Sequence, residues 1–408
     1  MQNVLIEKPY EFVPPIRSTW RLKLIMHSGI FKRWLKTLEG VESSEVRNIE
    51  RLQSSIDAGH SIMLTPNHSR TADPMVMGFI GLKIKCTFYA MASWHLFNQG
   101  WLRKLVLRSM GAFSVNREGL DRQAIDTAID LLAEGDRMFI LFPEGTTSRT
   151  NDKLMAMMDG TSFIARAAAK KRAKRDGGKV VVHPISIKYL YGGDIRKACD
   201  ETLGDIERRI SWREQSDVPM LDRIRKLGSA LLKLKELQYE VPDPTGDFVD
   251  RQQKLVDHLL QPLEKEWLGH ESNTNEGVQI RIKNLRMKIF PEISRGEIKD
   301  EQEKSRRWKH LEDTYLAQQL DCYPKDYVKE FPSVDRILET IERFEEDLTD
   351  KARIHGNLKA VVDVLDPIEV STKRDRGAVE DPLMAEIREQ LQGSLTALQK
   401  ESALYADT

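Results

Sequence analysis

The sequence predicts an α/β domain, a sheet flanked by helices, joined to a large and mostly α-helical region. Between residues 60 and 191, apolar runs typical of strands alternate with stretches of helical periodicity. Such alternation favours helices packed against a sheet. From about residue 200 to 350 the strand-like runs stop, and one returns at 359–370 as KAVVDVLDPIEV.

Five apolar runs are predicted to be strands: Ser61–Thr65, Cys86–Ala92, Ala112–Val115, Met138–Phe142 and Val180–Tyr191. Helices are predicted between them over 96–110, 121–134 and 162–175. In the helical region, apolar residues recur at helical spacing around Leu221–Leu234 and again after the start signal Pro332-Ser333. A last helix begins at Asp381-Pro382, where a capping residue precedes a first-turn proline.

Length and composition limit the class of protein. The chain has 408 residues, 40% hydrophobic and 31% charged, which suits two or three folded domains. The longest stretch without a charge, Cys86–Leu102, is too short to span a bilayer. The first residues lack the order of a secretory signal, and the three cysteines are far apart. We therefore expect a reducing, cytoplasmic setting.

The zero net charge conceals an asymmetry along the chain. Residues 1–191 contain 28 Lys and Arg against 18 Asp and Glu, whereas 192–358 contain 29 against 35. A basic N-terminal part suits a membrane surface, a phosphorylated small molecule or nucleic acid. Nucleic acid is disfavoured, because the basic residues lack interleaved aromatic residues and no known binding motif is present.

Residues 17–38 predict an amphipathic helix with six basic and no acidic residues. Two interpretations stay open: a helix lying in a lipid interface, or a helix packed on the core with a solvated basic side. Gly29 interrupts the pattern. The residues on the apolar side are Trp20, Leu24, Phe31, Trp34, Leu35 and Leu38.

The segment TPNHSRTADPM places His68 and Asp73 five residues apart just after a predicted strand. A neutral imidazole can take a proton from a hydroxyl, and a carboxylate can fix its tautomer and stabilise the imidazolium. No GxSxG, HExxH or CxxC motif accompanies the pair, which leaves the nucleophile to the hydroxyl of the substrate. The alternatives are a loop histidine and, since Pro74 follows, an aspartate that caps a helix.

The segment FILFPEGTTSRT runs from a predicted strand into Glu144, Gly145 and Thr146. Backbone N–H groups and hydroxyls after such a turn can cradle phosphate oxygens, although a simple turn explains the pattern as well. Arg149, and Arg117 in MGAFSVNREG, are candidate phosphate clamps; the alternative for each is a solvated surface arginine.

Taken together, these segments resemble a known family. NHSRTAD resembles the NHxxxxD block of the glycerophospholipid acyltransferases, the family of the 1-acylglycerol-3-phosphate and glycerol-3-phosphate acyltransferases. GAFSVNR, FPEGTTSR and VVHPISI resemble its second, third and fourth blocks, in the family order, within residues 60–190. The departures are Thr147 where the family has an arginine, and Asp159-Gly160 where it usually has lysine-glycine.

The resemblance implies a role for each residue of these blocks. His68 deprotonates the glycerol hydroxyl, which attacks a thioester of acyl-CoA or acyl carrier protein, and Asp73 orients His68. The acceptor is bound by Arg117, Glu144, Gly145 and Thr146, with Arg149 as a helper. It also implies that no metal and no tightly bound cofactor is needed, because a thioester is already activated.

The resemblance also suggests a domain organisation. VVDVLDPIEV resembles the GEPI strand that normally follows the fourth block soon after, which would make 192–358 a helical insertion. The insertion is then an interaction platform, a lid over the acyl groove or a dock for acyl carrier protein. The expected parts are an N-terminal amphipathic helical region at 1–59 and an acyltransferase domain at 60–191 plus 359–370. The insertion at 192–358 interrupts this domain, and a C-terminal helix follows at 371–408.

The expected function is transfer of a fatty acyl chain to 1-acylglycerol 3-phosphate, giving phosphatidate for phospholipid synthesis. The alternatives are acylation of glycerol 3-phosphate or another lipid alcohol and, in another class, a catalytically silent membrane-associated scaffold. The expected partners are the lipid substrate and the inner face of a membrane, to which the protein binds peripherally, together with acyl carrier protein if that is the donor.

Overall fold

One eight-stranded sheet organises the part of the chain that the computed structural model describes, which is residues 8–20, 22, 29–211, 213–270, 277–374, 377 and 380–406. The strand order is β1-β7-β6-β2-β5-β3-β4, and β8 pairs with β6. The strands are β1 Val41–Arg47, β2 Ser61–Pro66, β3 Phe88–Ser93, β4 Ala112–Val115, β5 Met138–Ile140, β6 Val180–Tyr191, β7 Leu358–Val364 and β8 Ile368–Glu369.

Five neighbouring strands, β6, β2, β5, β3 and β4, run parallel to one another. β7 is antiparallel to β6, and β1 is parallel to β7. The carboxyl ends of the five parallel strands therefore lie along one edge of the sheet, called here the carboxyl edge, at Pro66, Ser93, Val115, Ile140 and Tyr191. Open α/β sheets bind their ligands at this edge.

Helices cover both faces of the sheet because strand residues alternate between two apolar clusters. Met63 and Val182 pack in one cluster with α6 (Arg122–Glu134), α7 (Gly160–Asp176) and α16 (Pro382–Leu398). Leu64 and Ile185 pack in the other cluster, on the opposite face. The helices that contribute to this second cluster include α1 Ile30–Glu39, α2 Ile49–Asp57, α3 Asp73–Val76 and α4 Gly78–Ile84. This period-two alternation is what a sheet buried on both faces requires.

All five predicted strands are present, and β4 and β6 have the predicted bounds. The helix predicted at 96–110 is a 3₁₀ turn, Trp94–Asn98, followed by α5, Trp101–Ser109. β1 was not predicted, and its residues 41–47 fall inside the expected N-terminal helical region. Its sequence VESSEVR is mostly polar because it forms an edge strand in which only Val41 and Val46 are buried. The predicted boundary at residue 60 is therefore too late.

The chain between β6 and β7 is helical, so the α/β fold with a helical insertion is confirmed. Its helices are α8 Ile195–Ser211, α9 Met220–Gln238, α10 Phe248–Leu268, α11 Val278–Ile289, α12 Pro291–Ser294, α13 Glu301–Asp321, α14 Tyr327–Glu330 and α15 Val334–Thr349. The helices α8, α9 and α15 share the core of the sheet. By contrast, α10, α11 and α13 enclose a separate core, so only the middle of the insertion stands apart.

Of the helix predicted at 17–38, the structure describes α1, which begins at Ile30, whereas residues 17–19 are not helical. In α1, Phe31 and Leu35 are buried in the core, whereas Trp34 and Leu38 are exposed. Leu24, with the rest of 23–28, lies outside the described residues. Among the helices that the structure describes, none has both the length and the apolar character needed to cross a bilayer.

Candidate active site

The imidazole of His68 and the carboxylate of Asp73 lie side by side at the end of β2. The distance from Nδ1 of His68 to Oδ2 of Asp73 is 2.9 Å. Asp73 is fully buried, and the His68 side chain is 15% exposed. Because an ionised carboxylate only accepts hydrogen bonds, Nδ1 carries the proton and Nε2 presents its lone pair. Nε2 lies 3.3 Å from the hydroxyl oxygen of Thr147.

Asp73 accepts two further hydrogen bonds that fix its orientation. The backbone N–H of Arg70 donates to Oδ2 at 2.9 Å, and the hydroxyl of Tyr189 donates to Oδ1 at 2.6 Å. Burial and the nearby Asp73 charge raise the pKa of Tyr189 well above its usual value, which keeps that hydroxyl protonated. Asp73 is the first residue of α3 and its side chain makes no capping bond, so the helix-cap alternative does not describe it.

Asn67 fixes the chain just before the histidine. Its side-chain amide donates to the carbonyl of Ile187 at 3.0 Å, and its side-chain oxygen accepts from the N–H of Ile187 at 2.7 Å. These two bonds extend the pairing of β2 with β6 by one residue. The sequence contains the asparagine in its first block, but nothing in it identifies the strand 120 residues later as the partner.

Glu144 is a buried brace between two backbone segments. Its two carboxylate oxygens accept from the N–H groups of His68, at 2.7 Å, and Met155, at 2.9 Å. Burial raises the pKa of Glu144 to about 7. Because each oxygen accepts from a backbone N–H, the carboxylate positions the His68 loop. The acceptor-binding role expected for Glu144 stays a prediction.

Gly145 and Thr146 form the turn expected after β5. Gly145 has a φ of +68°, a left-handed conformation that favours glycine over any residue with a Cβ. The hydroxyl of Thr146 has no hydrogen-bond partner within the described part of the chain, so it is open to a ligand.

The loops at 67–73, after β2, and at 144–149, after β5, are called here the two motif loops, and they are bonded to each other through their backbones. The N–H of Ser148 donates to the carbonyl of His68 at 2.9 Å, and that of Arg149 donates to the carbonyl of Ser69 at 3.0 Å. The ring of Phe142 packs on the His68 ring, with centroids 4.2 Å apart. The loop at 144–149 thus lies beside the His68–Asp73 pair, as the sequence predicted.

Arg149 does not face an open pocket. Its Nε donates to Glu346 at 2.7 Å, and its Nη1 lies 3.3 Å from a carboxylate oxygen of Glu342, both on α15. Its side chain is largely buried. The prediction of a phosphate clamp is therefore replaced by a pairing with the insertion.

Arg117 is exposed in the loop after β4 and makes no ion pair with any residue that the structure describes. β4 is the third strand from β2, and a spacing of about 4.8 Å per strand separates their ends by roughly 14 Å. Arg117 therefore shares the carboxyl edge with His68 without contacting it.

No group of three or more His, Cys, Asp or Glu residues within the described ranges is arranged to hold a metal ion.

Comparison with known protein families agrees with this geometry. Residues 43–188 match the family described as Acyltransferase. This segment is an acyltransferase domain. It starts inside β1 and ends inside β6, so it contains both motif loops and stops before the helical insertion. No curated protein shows a significant match to the chain.

We predict that Glu144→Gln changes how the stability of the acyltransferase domain depends on pH. The raised pKa of Glu144 means that the folded state keeps this proton between pH 4.5, the ordinary value, and about 7. Its contribution to stability is therefore present below pH 4.5 and is lost as the pH rises through about 7. Relative to the glutamine variant, the wild-type free energy of unfolding should fall by about 3 kcal/mol across this window.

Urea unfolding of both proteins at a series of pH values measures this difference. The glutamine keeps the size of the side chain and one acceptor, so it adds a constant offset that does not vary with pH. Parallel curves for the two proteins would show that Glu144 has an ordinary titration.

Proposed function

We propose that the protein transfers a fatty acyl chain from the thioester of acyl-CoA or acyl carrier protein to the hydroxyl of 1-acylglycerol 3-phosphate, giving phosphatidate. The observation that carries this proposal is the 2.9 Å contact between His68 and Asp73 inside the acyltransferase domain. A silent scaffold has no need for a buried carboxylate that fixes a partly exposed imidazole.

The reaction follows from the tautomer of His68. Nε2 takes the proton of the acceptor hydroxyl while the hydroxyl oxygen attacks the thioester carbonyl. The tetrahedral intermediate expels the thiolate, which receives the proton from the imidazolium and leaves as a thiol. Asp73 stabilises the imidazolium formed between these steps.

The hydroxyl of Thr147 supports this placement of the acceptor. Its oxygen lies 3.3 Å from Nε2, so this side of the ring is open to a hydroxyl, and the acceptor hydroxyl takes the place of Thr147 when it gives up its proton. The neighbouring Thr146 hydroxyl is a donor available for the oxyanion that develops on the thioester carbonyl.

Arg117 is the residue we propose for the phosphate of the acceptor. It lies on the same edge as His68, and no carboxylate of the described residues pairs with it. Glycerol 3-phosphate is an alternative acceptor that also carries a phosphate.

A second candidate acceptor is a lipid alcohol without a phosphate. The lack of positive charge beside the histidine favours this uncharged acceptor, since Thr147 replaces the family arginine and Arg149 is paired with carboxylates.

Acyl transfer from labelled acyl-CoA to a panel of acceptors tests the proposal. We expect the wild type to acylate 1-acylglycerol 3-phosphate, and His68→Gln to lower kcat by about 10²–10⁴ through loss of the base. Arg117→Ala should raise KM for acceptors that carry a phosphate and leave KM for monoacylglycerol unchanged.

The matched control is Arg225→Ala, which removes an exposed arginine from α9. Equal inactivity of the wild type and His68→Gln with every acceptor and with either donor would favour the scaffold. A wild type that prefers monoacylglycerol, with no effect of Arg117→Ala, would favour the uncharged acceptor.

We also propose that the protein binds the surface of an anionic membrane, on the inner face, through α1. Trp34 and Leu38 are exposed on this helix beside the exposed Lys32 and Arg33. α1 is close to the active-site loop, because Glu39 accepts from the hydroxyl of Thr71 at 2.9 Å. A basic residue near an anionic leaflet contributes about 1 kcal/mol, and tryptophan is favoured at headgroup depth.

We predict that the double variant Trp34→Ser, Leu38→Ser weakens binding to phosphatidylglycerol vesicles, because it removes two exposed apolar residues of α1 and leaves the core intact. Deletion of α1 is unsuitable, since Phe31 and Leu35 are core residues. Co-sedimentation with vesicles measures binding, which should also fall with added salt.

The control is Leu234→Ser, Leu237→Ser, which removes two exposed leucines from α9. Equal binding by the two double variants would mean that α1 is not the membrane contact.

A further inference from the structure

We propose that Glu342, on α15 of the helical insertion, is a positioning residue for the catalytic base, so that the insertion completes the active site. The inference rests on the proposed role of His68. Glu342 lies outside the matched family segment and 269 positions after Asp73 in the sequence. It does not contact His68 or Asp73 directly, and it acts through two arginines, Arg70 and Arg149.

One carboxylate oxygen of Glu342 meets an arginine from each motif loop. Oε2 lies 2.8 Å from Nη1 of Arg70 and 3.3 Å from Nη1 of Arg149. The Glu342 side chain is only 4% exposed, so this contact is shielded from water. Ion pairs that are shielded in this way are stronger than exposed ones, and removing one partner leaves a buried charge uncompensated.

Arg70 connects Glu342 with the catalytic carboxylate. The backbone N–H of Arg70 donates to the same Asp73 oxygen that contacts His68. Its guanidinium lies 5.5 Å from the ring centroid of Tyr189, whose hydroxyl holds the other oxygen of Asp73. Burial opposes the charge on Arg70, but Glu342 and Glu339 outweigh it and raise the pKa of Arg70. A fixed Arg70 side chain therefore fixes the backbone that orients Asp73.

Arg149 makes the second connection. It has a φ of 54°, a left-handed conformation that is strained for a residue with a Cβ. In this conformation its N–H reaches the carbonyl of Ser69, the residue next to His68. The carboxylates of Glu342 and Glu346 hold the side chain and so favour the strained backbone.

Further contacts fix α15 against the same loop. Arg343 donates to the carbonyl of Ser148 at 3.1 Å, and Glu339 accepts from the N–H of Asn151 at 3.1 Å. Arg336 donates to Asp152 at 2.7 Å. The helix therefore supports the loop 148–152 along its length, and Glu342 is the member that also reaches the His68 loop.

The test compares Glu342→Gln and Glu342→Asp with a matched control, Glu207→Gln. Glu207 is also 4% exposed, lies in the insertion and pairs with the buried Arg223 at 2.9 Å, but it contacts neither motif loop. We expect Glu342→Gln to lower kcat by roughly tenfold to a hundredfold, with the acceptor KM changed by less than about twofold. Glu342→Asp should recover part of kcat. Glu207→Gln should lower the melting temperature and leave kcat within about twofold of wild type.

A second readout does not depend on an acceptor. Diethyl pyrocarbonate modification of His68, followed by peptide mass spectrometry, reports how firmly the ring is held. The modification should be several-fold faster in Glu342→Gln than in the wild type or in Glu207→Gln. If the wild type acylates no acceptor, the proposed function fails while this rate still decides the positioning role.

Two results would overturn the inference. One is an unchanged kcat and modification rate in Glu342→Gln. The other is equal losses of kcat in Glu342→Gln and Glu207→Gln, which would reduce the effect of Glu342 to stability alone.

Discussion

The buried carboxylate of Asp73 is the constraint on which the active site depends. A charge removed from water is costly unless it is fully hydrogen-bonded. Asp73 accepts from the ring of His68, from the hydroxyl of Tyr189 on β6 and from the backbone N–H of Arg70. Because each donor comes from a different place, satisfying the carboxylate also fixes the relative positions of the His68 loop and β6. The imidazole is therefore oriented by the folding of the sheet.

The same principle extends outwards to the helical insertion. Arg70 and Arg149 lie in the loops after β2 and β5, and both contact the carboxylate of Glu342, while Arg149 also pairs with Glu346. Replacement of buried ion pairs by apolar residues is often neutral for stability, so we attribute the effect of these pairs to the geometry that they impose. Here that geometry joins α15 to the acyltransferase domain. The middle of the insertion, α10 to α13, has its own core and takes no part in these contacts.

The sequence predicted those features that depend on local pattern. The strands β4 and β6 are apolar runs in the sequence, and their bounds were predicted from these runs alone. The helix after Asp381 has both a capping residue and a first-turn proline. His68 and Asp73 are only five residues apart, so one turn brings them together. Features that depend on distant partners were missed. VESSEVR becomes a strand only because β7 pairs with it. Arg149 pairs with Glu342 and Glu346, which lie almost 200 residues later, and therefore does not face an open pocket.

The central claim is that Asp73 holds His68 in the tautomer whose Nε2 is free to take a proton. Nuclear magnetic resonance of the imidazole nitrogens, in protein labelled at its nine histidines, measures this tautomer directly, and the spectrum of His68→Gln identifies the signals of His68. The structure predicts a proton on Nδ1 and none on Nε2 at neutral pH, with this preference lost in Asp73→Asn. A proton on Nε2 in the wild type, or an unchanged tautomer in Asp73→Asn, would contradict the account.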